Sequence, residues 1–226
     1  MFKKKTPMKQ RALVTKLSSK SPVFEAYRTL RTNIQFASVD KELKTLVITS
    51  PGPGEGKSTT VANLAVAFAQ TGKKVLLIDA DLRKPTVHYT FQTENLEGLT
   101  NVLSKQSNMK KVLQKTENEN LFLITSGPIP PNPSELLGSN SMKELLAEAS
   151  AEFDLILFDS PPVLAVTDAQ ILSNITDGSI LVVKSGGTEQ DQAVKAKEML
   201  MTGQGKLLGV VLNSKNQKND DYYYYY

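Results

Sequence analysis

Thr49-Ser50-Pro51-Gly52-Pro53-Gly54-Glu55-Gly56-Lys57-Ser58-Thr59-Thr60 lies between an apolar run, Leu46-Val47-Ile48, and a helical pattern, Val61-Ala62-Asn63-Leu64-Ala65-Val66-Ala67-Phe68-Ala69. Strand, glycine-rich turn, Gly-Lys-Ser and helix, in that order, are the context of a phosphate-binding loop. Glycines let the backbone turn successive N–H groups toward one point. The following helix adds about half a positive charge there. Lys57 brings a mobile full charge for the β- and γ-phosphates of a nucleotide, and the Ser58 hydroxyl is a ligand for Mg²⁺. The usual spacing places a glycine where this chain has Pro51. Because Pro51 and Pro53 have no N–H to donate, the cradle falls on Gly54, Glu55, Gly56, Lys57, Ser58 and Thr59.

Outward from the loop, the chain reads as one domain. Its 226 residues are 40% hydrophobic and 22% charged, an ordinary globular balance. The lack of cysteine excludes disulfides, thiolate metal sites and cysteine nucleophiles. No apolar run approaches the ~20 residues of a membrane helix, and no apolar segment follows Met1-Phe2-Lys3-Lys4-Lys5 as in a signal peptide. The net charge of +4 is concentrated in the first twenty residues, through Lys3, Lys4, Lys5, Lys9, Arg11, Lys16 and Lys20. Residues 1–20 read as a basic flexible arm, suited to an anionic surface or simply to water.

Residues 21–213 carry the periodic pattern. Ser21-Pro22 opens a helix with Val23, Tyr27, Leu30, Ile34 and Ala37 on one face. Continuous apolar strands are expected at 44–49, 75–78, 121–124, 155–158, 180–183 and 207–212. The helix after the loop should stop at Gly72. Short helices are expected at Leu96–Leu103 and Met109–Gln114, with others near 167–174 and 191–201. Asn132, Pro133 and Glu135 read as N-cap, first helical position and capping box of a helix through Leu146, with Gly138 as its weak point. Alternating strands and helices predict a doubly wound α/β fold, with a mostly parallel sheet flanked by helices, of the P-loop NTPase type. Ligands of such folds bind at the carboxyl ends of the strands.

Two more motifs stand at those ends. Val75-Leu76-Leu77-Ile78 runs into Asp79-Ala80-Asp81-Leu82-Arg83-Lys84, and Leu155-Ile156-Leu157-Phe158 runs into Asp159-Ser160-Pro161-Pro162. A strand-end carboxylate is the usual partner of nucleotide-bound Mg²⁺. Asp159 suits that role through water. Asp79 suits ligation or orientation of the nucleophile, since an Asp base that takes a hydroxyl proton recurs in phosphoryl transfer. His88, the lone histidine, reads as a surface or turn residue.

Together these residues resemble the bacterial tyrosine kinases, cytosolic autokinases of capsule and exopolysaccharide export. Pro53-Gly54-Glu55-Gly56-Lys57-Ser58-Thr59 is similar to their phosphate loop. Leu76-Leu77-Ile78-Asp79-Ala80-Asp81-Leu82-Arg83 resembles an acidic motif special to them, and Ile156-Leu157-Phe158-Asp159-Ser160-Pro161 resembles their second. Glu25, Arg28 and Arg31 match a subunit-contact motif, and Tyr222, Tyr223, Tyr224, Tyr225 and Tyr226 resemble the terminal cluster that these kinases phosphorylate. The tail, residues 214–226, departs from the family in being an unbroken run. The resemblance implies ATP and Mg²⁺ as cofactors, and catalytic roles for Lys57, Asp79, Asp81 and Asp159. It implies metal binding by Ser58, Asp79 and Asp159, and deprotonation of tyrosine by Asp79 with support from Asp81. It also implies a homo-oligomeric ring, a transmembrane adaptor that activates the kinase, an opposing tyrosine phosphatase, and a cytoplasmic position against the inner face of the membrane.

Rival readings differ in specific residues. Partitioning ATPases of the same branch carry a lysine where this chain has Gly52. A nitrogenase-type reductase requires cysteines. A nucleotide-gated scaffold would bind ATP without labelling the tail. A nucleic-acid binder rests on the basic arm alone, and no specific nucleic acid is expected.

Overall fold

The computed structural model describes Leu13 and residues 21–37, 43–202 and 205–215. Tyr222–Tyr226 and most of the basic arm lie outside the described residues. Leu13 is buried in the core, 5% exposed, so the segment read as a solvated arm sends one side chain inward.

The strands are β1 (Thr45–Thr49), β2 (Val75–Asp79), β3 (Gln114–Lys115), β4 (Leu121–Ile124), β5 (Leu155–Asp159), β6 (Gly178–Lys184) and β7 (Lys206–Asn213). They form one sheet in the order β3-β4-β2-β5-β1-β6-β7, parallel throughout except for the β3–β4 pair. The helices are α1 (Pro22–Phe36), α2 (Lys57–Ala69), α3 (Val87–Phe91), α4 (Leu99–Leu103), α5 (Met109–Val112), α6 (Pro133–Leu137), α7 (Asn140–Glu152), α8 (Asp168–Ser173) and α9 (Gln190–Met201). The expected doubly wound, mostly parallel α/β fold is present.

Strand residues sort between the two faces by parity, as the period of two requires. Leu46, Ile48, Leu77, Leu123, Leu155 and Leu157 pack with α1 and α2. Val47, Leu76, Ile78, Ile124, Ile156 and Phe158 pack with α4, α5 and α7 on the other side. Each such side chain contributes about 1.5–3 kcal/mol on burial. From Val61 to Ala69 helix α2 is apolar except for Asn63 and buried throughout, its outer side covered by α1.

Local details depart from the expected boundaries. Helix α5 stops at Val112, and Gln114 and Lys115 instead form β3, pairing antiparallel with Leu123 and Phe122. Leu96 and Glu97 are not helical; α4 starts after Gly98, where the Leu99 and Thr100 amides donate to the Thr125 and Ser126 carbonyls at the end of β4. Gly138 splits the long helix into α6 and α7, and the Ser139 side chain caps the second piece. The expected capping box at Asn132 does not form. Asn132 Nδ2 instead donates to Glu135 Oε2 at 2.7 Å, side chain to side chain.

The topology decides where a ligand sits. From β1 the chain passes through α2 to β2 on one side, and from β5 through α8 to β6 on the other. The crevice at that reversal, between the ends of β1, β2 and β5, receives all three sequence motifs.

Candidate active site

The phosphate loop turns on Gly54 (φ +79°) and Gly56 (φ +92°), a region that disfavours side chains. Gly56 is doubly constrained, since a Cβ there would run into the Asn213 amide. Glu55 is 7% exposed and its side chain faces inward. Gly52 N–H donates to its Oε1 at 2.8 Å, and Thr188 Oγ1 donates to its Oε2 at 2.8 Å. Asn213 Nδ2 donates to the Glu55 carbonyl at 2.8 Å. The Glu55 carboxylate therefore braces the loop; what it leaves for phosphates is its backbone. Thr188 and Asn213 were not legible as loop partners. Their one signal is position, since Asn213 ends a strand on the same edge of the sheet as the motifs.

Lys57 begins α2 and reaches across the crevice. Its Nζ lies 3.0 Å from Asp81 Oδ2, 3.3 Å from Asp159 Oδ1 and 3.3 Å from Ser58 Oγ. The structure thus brings Lys57, Ser58, Asp81 and Asp159 together. Burial pulls the Lys57 ammonium down, but the Asp159 and Asp81 charges outweigh it and the net direction is up. Asp159 is fully buried, which pushes its carboxyl up despite Lys57 and Ser58. Its Oδ2 is buried with no hydrogen-bond partner.

Asp79 lies behind this group. It is 0% exposed, its Oδ2 accepts from the Thr86 and Val87 amides at 3.1 and 3.0 Å, and its Oδ1 accepts from the Asp81 amide at 3.3 Å. Burial first, then the Asp159 charge, push its carboxyl up to about 8. With three backbone bonds and no exposure, Asp79 anchors the turn after β2. Asp81 is 5% exposed at the crevice, its Oδ1 held by the Lys84 amide at 3.0 Å.

An orphaned, buried carboxylate oxygen beside a hydroxyl fits a hard divalent cation, which takes oxygen donors and keeps waters of its own. Among the described residues no three His, Cys, Asp or Glu side chains converge as a self-sufficient metal cage. Ser58 and Asp159 therefore fit an ion that arrives with a nucleotide better than a resident one.

Helix α1 flanks the crevice. Glu25 and Arg28 pair at 3.2 Å with both side chains exposed. Arg31 is turned inward, its Nη1 donating to the Ala67 carbonyl near the end of α2 at 2.8 Å. The Tyr27 phenol packs beside Thr60 and Asn63 of α2, and burial pushes it up. A groove of about 630 Å³ opens between α1 and β7, sharing Thr60 and Asn213 with the loop. His88 sits half-buried on α3 against Tyr89, remote in role from the carboxylate cluster.

Residues 43–188 match the model of a family described as an AAA domain. Over 214 residues the chain is 59% identical to tyrosine-protein kinase YwqD of Bacillus subtilis (strain 168), covering 94% of this chain and 90% of that protein. The chain belongs to the bacterial tyrosine-protein kinase family. It is 40% identical over 208 residues to a putative tyrosine-protein kinase, CapB, of Staphylococcus aureus, covering 92% of this chain and 91% of that one. The crystal structure of the chimerical protein CapA2B2 superposes with a TM-score of 0.88 at 45% identity, covering 91% of this chain and 90% of that one. The family is one of P-loop nucleotide-binding enzymes, as the loop geometry requires. No described helix is long and apolar enough to cross a membrane.

Proposed function

We propose that the chain transfers the γ-phosphoryl group of ATP, with Mg²⁺, to its own terminal tyrosines Tyr222–Tyr226, in trans between subunits. The observation that supports this reading most is the meeting of Lys57, Asp81 and Asp159 at 3.0 and 3.3 Å beside a phosphate loop, with one Asp159 oxygen unused. Phosphates are cradled by the amides of Gly54, Glu55, Gly56, Lys57, Ser58 and Thr59. The groove beside Thr60 and Asn213 is of a size for the nucleoside. Ser58 and Asp159 would hold Mg²⁺, which would supply charge neutralisation for the phosphates.

The carboxylates divide the remaining work. Nucleotide phosphates draw Lys57 Nζ from Asp81, which frees Asp81 Oδ2 to accept the phenolic proton. The phenolate oxygen bonds to γ-phosphorus as the bond to the β–γ bridging oxygen breaks, and ADP leaves. Asp79, with its carboxyl near 8, stays protonated at neutral pH and adds no third charge against the triphosphate. The base role expected for Asp79 thus passes to Asp81, which the crevice can reach, and Asp79 keeps the turn in place.

The wider reading is regulation of capsule or exopolysaccharide synthesis. In it, Glu25, Arg28 and Arg31 place α1 at a ring contact. A transmembrane adaptor holds the chain at the inner face of the cell membrane, and a tyrosine phosphatase reverses the modification. The test is transfer from γ-labelled ATP·Mg²⁺. Protein with all five tail tyrosines changed to Phe should label an inactive Lys57→Met chain with an intact tail. No label on the inactive chain would reject transfer in trans. Nucleotide binding without any label, with adaptor segments added, would favour the scaffold.

A further inference from the structure

Arg83 makes contacts that the mechanism above does not use. Its Nε donates to Asp168 Oδ2 at 2.9 Å and its Nη2 to Asp168 Oδ1 at 3.0 Å, a two-pronged grip on one carboxylate. The same Nη2 donates to Ser134 Oγ at 2.9 Å, and Ser134 Oγ donates to Asp168 Oδ1 at 2.6 Å. Asp168 is completely buried at the start of α8, whereas the Arg83 side chain is 37% exposed. Ser134 belongs to the first turn of α6. One guanidinium therefore joins the segments that follow β2, β4 and β5, the segments that form the rim of the crevice.

The stretch from Ala80 to Thr86 is held at its base by Asp79, through the Thr86 and Val87 amides, and at its tip by Arg83. Asp81 lies between those anchors, with Lys84 N–H on its Oδ1 and Lys57 on its Oδ2. Asp81 is the one member of the cluster carried on a turn, since Lys57 opens a helix and Asp79 and Asp159 end strands. Its position therefore depends on what holds the turn.

We propose that Arg83 is a positioning residue: by gripping Asp168 and Ser134 it sets the 80–86 turn so that Asp81 faces Lys57 and the acceptor hydroxyl. The inference rests on the proton-accepting role given to Asp81 above. Lysine keeps the charge at this position but loses the planar fork. A reactive group displaced by about 1 Å costs on the order of 10²-fold in rate.

The experiment measures transfer from ATP·Mg²⁺ by full-length chains with a Phe tail, using the Lys57→Met chain as fixed acceptor. Arg83→Lys should lower kcat by about 10²-fold, with affinity for a fluorescent ADP analogue changed by less than about 3-fold. In an Asp81→Asn background the same substitution should cost less than about 2-fold, because the two residues act as one unit. Ser134→Ala, which leaves the ion pair intact, should show the same pattern at smaller size and serves if Arg83→Lys does not fold. Equal losses in both backgrounds would show a merely structural clamp and overturn the proposal. So would unchanged kcat in Arg83→Lys while Asp81→Asn is impaired. If Asp81→Asn itself kept full kcat, the base reading would fail, and the positioning proposal with it.

Discussion

Asp159 and Lys57 meet at 3.3 Å through one carboxylate oxygen only; Asp159 Oδ2 is buried and has no partner. In the function proposed above, the oxygen left over from the ion pair is the one offered to Mg²⁺. Removing Lys57 leaves a buried carboxylate uncompensated, a change that costs about 3–5 kcal/mol where the charge must persist. Asp159 is already pushed up by burial, and loss of Lys57 removes the largest influence pulling it down. Lys57→Met should therefore lose transfer, and its stability should fall further below wild type as pH rises, the gap narrowing toward acid, where a raised Asp159 carboxyl takes up its proton. Urea unfolding of the variant across pH checks this, and a constant difference from wild type would contradict it.

Asp79 predicts a pH dependence of its own. Its carboxyl is raised from 3.8 to about 8 on folding, so between those values the native state holds a proton that the unfolded state has lost. That contribution to stability is complete below the lower value and disappears as pH rises through the higher one. The nucleotide-free protein should thus be more stable at pH 6 than at pH 9. Asp79→Asn should flatten the slope, read from denaturant midpoints.

Glu55 is expected to act through the shape of the loop. Glu55→Ala removes acceptors from Gly52 N–H and Thr188 Oγ1. Hydrogen bonds to charged groups are worth about 1.5–3 kcal/mol each, so nucleotide affinity should fall by roughly tenfold or more. Glu55→Gln keeps an acceptor for Gly52 and can meet the Thr188 hydroxyl through its amide, so its loss should be several-fold smaller. Titration with a fluorescent nucleotide distinguishes the two variants.

Gly56→Ala combines a strained φ with a collision against the Asn213 amide. Backbone strain of this kind costs about 1–3 kcal/mol. The collision is relieved in Gly56→Ala/Asn213→Ala but the φ is not. The double variant should recover part of the melting temperature lost by Gly56→Ala, and no recovery would mean that strain alone sets the loss.

Phosphorylation of Tyr222–Tyr226 would add roughly −8 to −10 charges, at −1.5 to −2 each. Added to +4, this reverses the sign of the chain and crowds like charge near the acidic site of a neighbour. The phosphorylated form should show a smaller assembled mass by size exclusion with light scattering. Equal masses would argue against charge-driven release.

Gly54 to Thr59, the apolar strands and the three strand-end motifs were legible from sequence because each rests on local rules. Glycine freedom, helix polarity and unbroken apolar runs act within a few residues. The alternation that sends Leu46 and Val47 to opposite faces is equally local. Within 86–119 the short helices α4 and α5 were legible, but α3, β3 and the helix boundaries were not; β3 and the start of α4 are set by amide bonds to β4 and its end. Glu25, Arg28 and Arg31 share a spacing but not a setting: Glu25 and Arg28 pair on the exposed face, whereas Arg31 donates to the Ala67 carbonyl of α2.

What the sequence by itself determined is the class of fold, the loop, and which carboxylates stand at the strand ends. What only the tertiary structure decided is how those carboxylates differ. Asp79, Asp81 and Asp159 are the same side chain in comparable motifs. Depth of burial and the supply of neighbouring N–H and ammonium groups make one an anchor held near neutral charge, one a partner of Lys57 at the opening, and one a buried acceptor with an oxygen to spare. Those surroundings come from segments distant in the chain, which no local pattern encodes.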